Sequence, residues 1–285
     1  MTVITTPSDT YGIAVDNISV TYSNARLALY NANCYVEPGT ITGLVGPNGG
    51  GKSTLFKSIM GFLSPSQGHV HIDGVSVERA QKQQLMAYVP QADEVDWNFP
   101  ISVFDVVMMG RYGYMNMFRI PSRKDRRLVM ESLERVGMSE FRNRQIGELS
   151  GGQKKRAFLA RALAQAGKVI LLDEPFTGVD VKTEKSIITL LMQLRDEGHT
   201  ILVSTHDLSS ISTFCDRVIL LNQTILAAGT TEETFTEENL SMTFGGLPIR
   251  SLSGGVNRSP DAKRRYQPGH AYLQPEKRES HRVDS

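Results

Sequence analysis

Cysteine is nearly absent: the 285 residues include two, Cys34 and Cys215. Two thiols so far apart, without metal-ligand spacing, exclude a disulfide framework and a zinc site, and they fit a reducing compartment. Long apolar runs are missing too. No stretch approaches the roughly 18 residues that cross a bilayer as a helix, and Met1–Thr10 lacks the basic-then-apolar order of a secretion signal. A soluble, cytosolic chain is expected. Charge is not in excess either, because 31 Lys and Arg face 30 Asp and Glu for a net of +1. Without a general positive field, nucleic acid is not an expected partner. What remains suffices for a packed core under a soluble surface: 40% hydrophobic and 21% charged residues.

Composition shifts near the C-terminal end. From Arg250 to Ser285 eight basic residues face four acidic ones, among many Gly, Ser and Pro and with no apolar periodicity. Residues 249–285 are therefore expected to be a disordered basic tail. The body before Arg250 keeps 23 basic and 26 acidic side chains, a net of −3.

Within the body, strands and helices alternate. Ile13–Val20 and His69–Ile72 alternate apolar and polar residues, as half-buried antiparallel strands do. Ile41–Val45, Lys168–Leu172 and Thr200–Ser204 are short apolar runs, the pattern of strands buried on both faces. Between the last two, Ile187, Leu190, Leu191 and Leu194 form one apolar helix face that Gly198 is placed to end. Strand, helix, strand at this spacing predicts a parallel sheet covered by helices. Residues 101–165 read as mostly helical, with Ser102 as a cap and Arg126–Val136 amphipathic. A helical subdomain inserted between strands of the main sheet is expected there.

Chemistry concentrates in one loop. Gly46, Pro47, Asn48, Gly49, Gly50, Gly51, Lys52, Ser53 and Thr54 satisfy G-x-x-x-x-G-K-[ST] in full, between a buried strand and a helix. Such a loop wraps phosphate with backbone N–H groups at a helix N-terminus. Lys52 would neutralise the β- and γ-phosphates and the Ser53 hydroxyl would ligate Mg2+. Val169–Glu174 is an apolar run ending in two carboxylates. Asp173 would hold Mg2+, and Glu174 would act as general base on a water attacking the γ-phosphate.

Further motifs give a family resemblance. Leu149-Ser-Gly-Gly-Gln153 resembles the signature motif of the ATP-binding-cassette (ABC) ATPases, with Ser150 lying 23 residues before Asp173. Tyr88-Val-Pro-Gln91 resembles the family's Q-loop, Thr177-Gly-Val-Asp180 its D-loop, and Ser204-Thr-His206-Asp207 its H-loop. Tyr22 resembles the aromatic that stacks on adenine. The resemblance covers about residues 11–248, with the motifs in order. It implies an α/β phosphate-loop fold of ABC type: a mixed sheet core, an inserted helical subdomain and an N-terminal antiparallel β subdomain. It implies ATP and Mg2+ as ligands, with Gln91 sensing γ-phosphate and metal and His206 orienting the attacking water. Ser150, Gly151, Gly152 and Gln153, with Asp180, would serve ATP held by a second copy of the chain, in a head-to-tail dimer. Two departures stand out. Gly50 replaces a more usual small residue at a position expected to be unrestricted, and Lys154-Lys155-Arg156 follows the signature, which is expected to bear on subfamily more than on chemistry.

The stretch Gln91–Pro100, with Val106–Arg111, Arg144–Ser150 and Gly178–Lys182, looks like ATPases of manganese, chelated-iron and zinc importers, the Asp96-Trp97 pair favouring the manganese/iron branch. The resemblance then implies a separate membrane permease, an extracytoplasmic metal-binding protein and a place on the inner face of a bacterial membrane. A zinc importer, another ABC importer, a non-transport ABC ATPase and a non-hydrolysing binding module are the alternatives. Intact Glu174 and His206 argue against the last. Trp97 and Phe99 are expected to receive a permease helix, against the plainer reading that Trp97 fills a core. His69 and His71 share a strand face but have no evident third ligand, so a structural role is expected of them.

Overall fold

In the computed structural model, two sheets share the apolar residues of the body. The structure describes residues 12–23, 25–91, 96–115, 117–206, 208 and 210–245. The anticipated basic tail over 249–285 lies outside these residues, as do Ala92–Val95 after the Q-loop and Asp207 of the H-loop.

The smaller sheet is antiparallel. It contains β1 (Ile13–Thr21), β2 (Leu27–Val36), β4 (Gln67–Ile72) and β5 (Val75–Ser76), in the order β2-β1-β4-β5. Ile13 and Val15, and beyond the register shift that follows Val15, Ile18 and Val20, are buried in one core. His69 sits opposite Asp16 and His71 opposite Ala14, and the His71 Nδ1 lies 3.9 Å from an Asp16 carboxylate oxygen. Among the described residues, no group of three or more His, Cys, Asp or Glu could hold a metal ion.

The larger sheet contains β3 (Ile41–Val45), β6 (Met86–Val89), β7 (Val169–Asp173), β8 (Thr200–Thr205), β9 (Arg217–Asn222) and β10 (Thr224–Thr230), in the order β10-β9-β3-β8-β7-β6. The pairs from β9 to β6 are parallel and β10 runs antiparallel at the edge. Its inner strands are buried on both faces, which is why they read as continuous apolar runs. Ile41, Ile170, Leu172 and Ile201 face one core and Leu44, Leu171 and Leu202 the other. Parallel strands put their C-terminal ends on one edge, where β3, β6, β7 and β8 all end.

Helices cover the sheet. Helix α1 (Lys52–Ile59) and α2 (Val77–Lys82) lie on the side of the antiparallel sheet. Between β6 and β7 come α3 (Val103–Met109), α4 (Arg123–Arg135) and α5 (Gly151–Gln165), with no strand among the described residues of that stretch. Ser102 caps α3 by accepting from the Asp105 N–H, and Ser122 with Asp125 forms a capping box on α4. Helix α6 (Val181–Asp196) buries Ile187, Leu190, Leu191 and Leu194, and Gly198 takes φ +92 just past its end. No helix among the described residues is long and apolar enough to cross a membrane.

Candidate active site

The phosphate loop starts where β3 runs out. A side chain is impossible at Gly46, whose added Cβ would lie 2.0 Å from the Leu221 carbonyl oxygen. At the other end Gly51 adopts φ +100 to launch α1, and a Cβ there would meet Leu29 at 2.6 Å. Gly50 is less free than its sequence context suggests. A Cβ would crowd Pro47 at 3.0–3.2 Å, and its carbonyl accepts the Gln223 N–H at 2.7 Å, so the tip of the β9–β10 hairpin buttresses the loop.

Lys52 is buried, and its Nζ donates to the Gly46 and Pro47 carbonyls at 2.8 and 3.0 Å. Burial lowers its pKa from the ordinary lysine value, opposed by the negative charges of Glu174 and Asp173. Ser53, next along α1, is exposed. The Tyr22 hydroxyl and Thr54 Oγ1 lie 3.0 Å apart, which ties the aromatic ring to the first turn of α1.

The β7–β8 edge supplies the acids. Asp173 is 3% exposed and accepts a short hydrogen bond from the Ser204 hydroxyl directly opposite it in the register. Glu174 leaves the strand with φ +48, a left-handed conformation that costs a non-glycine residue about 1–3 kcal/mol unless its surroundings enforce it. They do. Its N–H donates to the Ser204 carbonyl at 3.2 Å and to Ser204 Oγ at 3.1 Å, and its carbonyl accepts from Lys155 Nζ at 2.8 Å. The carboxylate is then held by Thr177 Oγ1, which donates to Oε2 at 3.1 Å, while His206 Nδ1 lies 3.4 Å from Oε1. The Glu174 side chain is 13% exposed and that of His206 53%.

These groups surround a cavity of about 420 Å3. Tyr22, Asn48, Gly49, Gly51, Lys52, Ser53, Thr54, Gln91, Glu174 and His206 line it, together with Arg26 and Ala28. Gly46, Pro47, Gly50 and Asp173 are not among the lining residues. The structure does not bring Ser150, Gly151, Gly152, Gln153 or Asp180 to this cavity. They form a second surface instead. Ser150 caps α5 through a box with Gln153, and exposed Asp180 caps α6 by accepting from the Thr183 N–H at 2.9 Å. Those hydrogen bonds, the Thr183 backbone N–H foremost, hold the Asp180 carboxyl below its ordinary pKa. A Cβ on Gly152 would touch Thr183 at 3.1 Å, so the α5 and α6 starts pack side by side.

Two residues escaped the sequence reading. Arg26 lines the cavity from the β1–β2 turn, where no local motif marks it. Lys155 bears directly on the site through the Glu174 carbonyl, whereas Lys154-Lys155-Arg156 was expected to bear on subfamily more than on chemistry. Trp97 and Phe99 differ in exposure. Trp97 is partly buried, edge-on to Phe158 with ring centroids 5.2 Å apart and with Lys154 Nζ 4.7 Å from its own centroid, whereas Phe99 is 57% exposed.

A phosphate loop at the carboxyl edge of a parallel sheet, facing a carboxylate and a histidine, defines a nucleoside triphosphatase of the P-loop class. The family model described as ABC transporter matches residues 29–177. The manganese transport system ATP-binding protein MntA of Synechocystis sp. is 83% identical over 241 residues, covering 85% of this chain and 93% of that protein. The chelated iron transport system membrane protein YfeB of Yersinia pestis is 64% identical over 235 residues, 82% of this chain and 79% of that protein. Among solved structures, a dimeric post-hydrolysis ATP-binding cassette bound to ADP and Pi superposes with a TM-score of 0.68 at 28% identity, covering 76% of this chain and 98% of that one. The chain belongs to the ABC transporter family, as an ATP-binding subunit that hydrolyses ATP.

Proposed function

We propose that the chain powers import of manganese, iron or both through a separate membrane permease, working as a head-to-tail dimer beneath it on the inner face of the membrane. The observation that carries this reading is the convergence of Lys52, Ser53, Gln91, Glu174 and His206 on one cavity. The transition metal is cargo, and the manganese and chelated-iron systems named for the relatives support its identity. An extracytoplasmic metal-binding protein would deliver it.

The donors around the cavity suit a magnesium triphosphate. Mg2+ prefers oxygen ligands, few of them from protein and the rest from phosphate and water. The exposed Ser53 hydroxyl, the buried Asp173 carboxylate and the Gln91 amide supply such oxygen donors. When bound, Mg2+ would neutralise charge that develops on the phosphates. Lys52 and the backbone N–H groups of residues 46–54 bind the phosphates, and Tyr22 stacks on adenine. Glu174 takes the proton of the attacking water as it approaches the γ-phosphorus in line with the departing ADP oxygen. His206, against the same carboxylate, holds the γ-phosphate and fixes the direction of attack. Gln91 relays the state of the γ-phosphate toward α3–α5. Ser150, Gly151 and Asp180, which are exposed, and the half-buried Gly152 and Gln153 do not line their own chain's cavity and would complete the partner's site.

Uptake of labelled Mn2+ and Fe2+ by cells lacking the gene, complemented with wild type or Glu174→Gln, tests the reading. Wild type should restore uptake of at least one metal and the variant neither. Restoration by the variant, or by neither protein, would contradict it.

A further inference from the structure

The connection between α3 and α4 carries apolar side chains that the fold leaves outside. Met117 is 89% exposed, Phe118 76% and Ile120 66%. Five basic residues, Arg119, Arg123, Lys124, Arg126 and Arg127, adjoin them, and the sole acidic residue among 117–127 is Asp125. Asp125 is buried against Arg111, Nε to Oδ1 at 3.0 Å, so it subtracts little from the outward charge. The five basic side chains are exposed. They contrast with the net −3 of the body before Arg250.

The loop stands on a firm base. Arg111 also donates to the Ala164 carbonyl at 2.9 Å, and Tyr114 to the Gln165 carbonyl at 2.8 Å, both on α5. At the other end the Ser122–Asp125 capping box fixes the start of α4. Placing Arg123, Lys124, Arg126 and Arg127 at the positive end of a helix works against its dipole, a local cost that an anionic surface facing them would relieve.

We propose that Met117, Phe118 and Ile120 dip into the headgroup layer of an anionic phospholipid membrane while these five basic side chains bind its phosphates. Apolar side chains beside a basic cluster are what an interfacial segment needs, shallow burial plus attraction to negative lipid. Charge selects lipid over a permease loop, because cytoplasmic loops of membrane proteins are themselves enriched in Lys and Arg and would be repelled. The inference rests on the reading that the chain works at a membrane surface, but its test needs neither permease nor metal, so the two can fail separately.

The full purified chain should cosediment with vesicles of phosphatidylglycerol and phosphatidylethanolamine at low salt. Binding should weaken as salt rises and be about tenfold lower on phosphatidylcholine alone. Met117→Ser/Phe118→Ser/Ile120→Ser and Arg123→Glu/Lys124→Glu should each reduce binding about tenfold or more, with basal ATP hydrolysis and melting temperature unchanged. Absence of binding to anionic vesicles would overturn the proposal. So would binding that both variants retain in full, which would assign it to another part of the chain. Loss of permease copurification in detergent by variants that bind vesicles like wild type would make the patch a protein contact and equally refute it.

Discussion

Glu174 shows how much of the site is decided by one residue's backbone. Its φ of +48 departs from strand geometry just where the carboxylate must turn into the cavity, and Ser204 and Lys155 hold it there from two sides. Lys155→Met keeps an apolar stem of similar length but removes the donor. A charge-assisted hydrogen bond contributes about 1.5–3 kcal/mol, and each 1.4 kcal/mol is about tenfold in rate. The variant should therefore hydrolyse ATP about tenfold or more slowly, with ATP affinity nearly unchanged, as read by phosphate release beside an equilibrium titration. Glu174→Gln removes the base itself and should cost about 10²–10⁴-fold in turnover while ATP still binds. A Glu174→Gln chain that turns over at the wild-type rate would remove the general-base assignment.

Elements of α3 to α5 separate packing from exposure. Trp97, partly buried and edge-on to Phe158, packs against the core of this region, and Phe99 is exposed. Trp97→Ala should lower the melting temperature, with a loss below the 3–5 kcal/mol or so of a fully buried aromatic. Phe99→Ser should leave melting unchanged. The buried Arg111–Asp125 pair makes a pH prediction. Asp125 has a pKa below its ordinary value of 3.8, chiefly through the Ser122 hydroxyl, with Arg111 adding to it. A lowered folded-state value means the carboxylate's contribution is complete above 3.8 and is lost as pH falls below it toward the folded value. The melting difference between wild type and Asp125→Asn should accordingly shrink on acidification through that range. A difference that grows in acid would reverse the sign of the linkage.

The same region shows what a linear sequence can disclose. The phosphate loop was legible because adjacent residues serve one ligand, and β3, β7 and β8 because burial on both faces leaves an unbroken apolar run. The cap at Ser102 and the apolar face of α6 were legible for the same local reason. Arg26 and the Lys155 contact were not. Each depends on which distant segment lies opposite: the phosphate loop for Arg26, the end of β7 for Lys155. Gly50 was misread because its crowding comes from Pro47 folding back over it.

At the scale of the whole molecule, the residues assigned to ATP fall on two surfaces. Lys52, Glu174 and His206 share one cavity, and Ser150 to Gln153, at the start of α5, do not line it. Such a division makes sense if each cavity is completed by the α5 start of a second copy. A chain damaged in one surface should then be rescued by a chain damaged in the other, since their mixed dimer contains one intact composite site. The direct measurement is phosphate release by permease assemblies built with Lys52→Ala chains, with Ser150→Arg chains, or with an equal mixture. The account predicts near-background release from either variant alone and substantial recovery from the mixture. A mixture no more active than the separate variants, or full activity from Ser150→Arg alone, would contradict it.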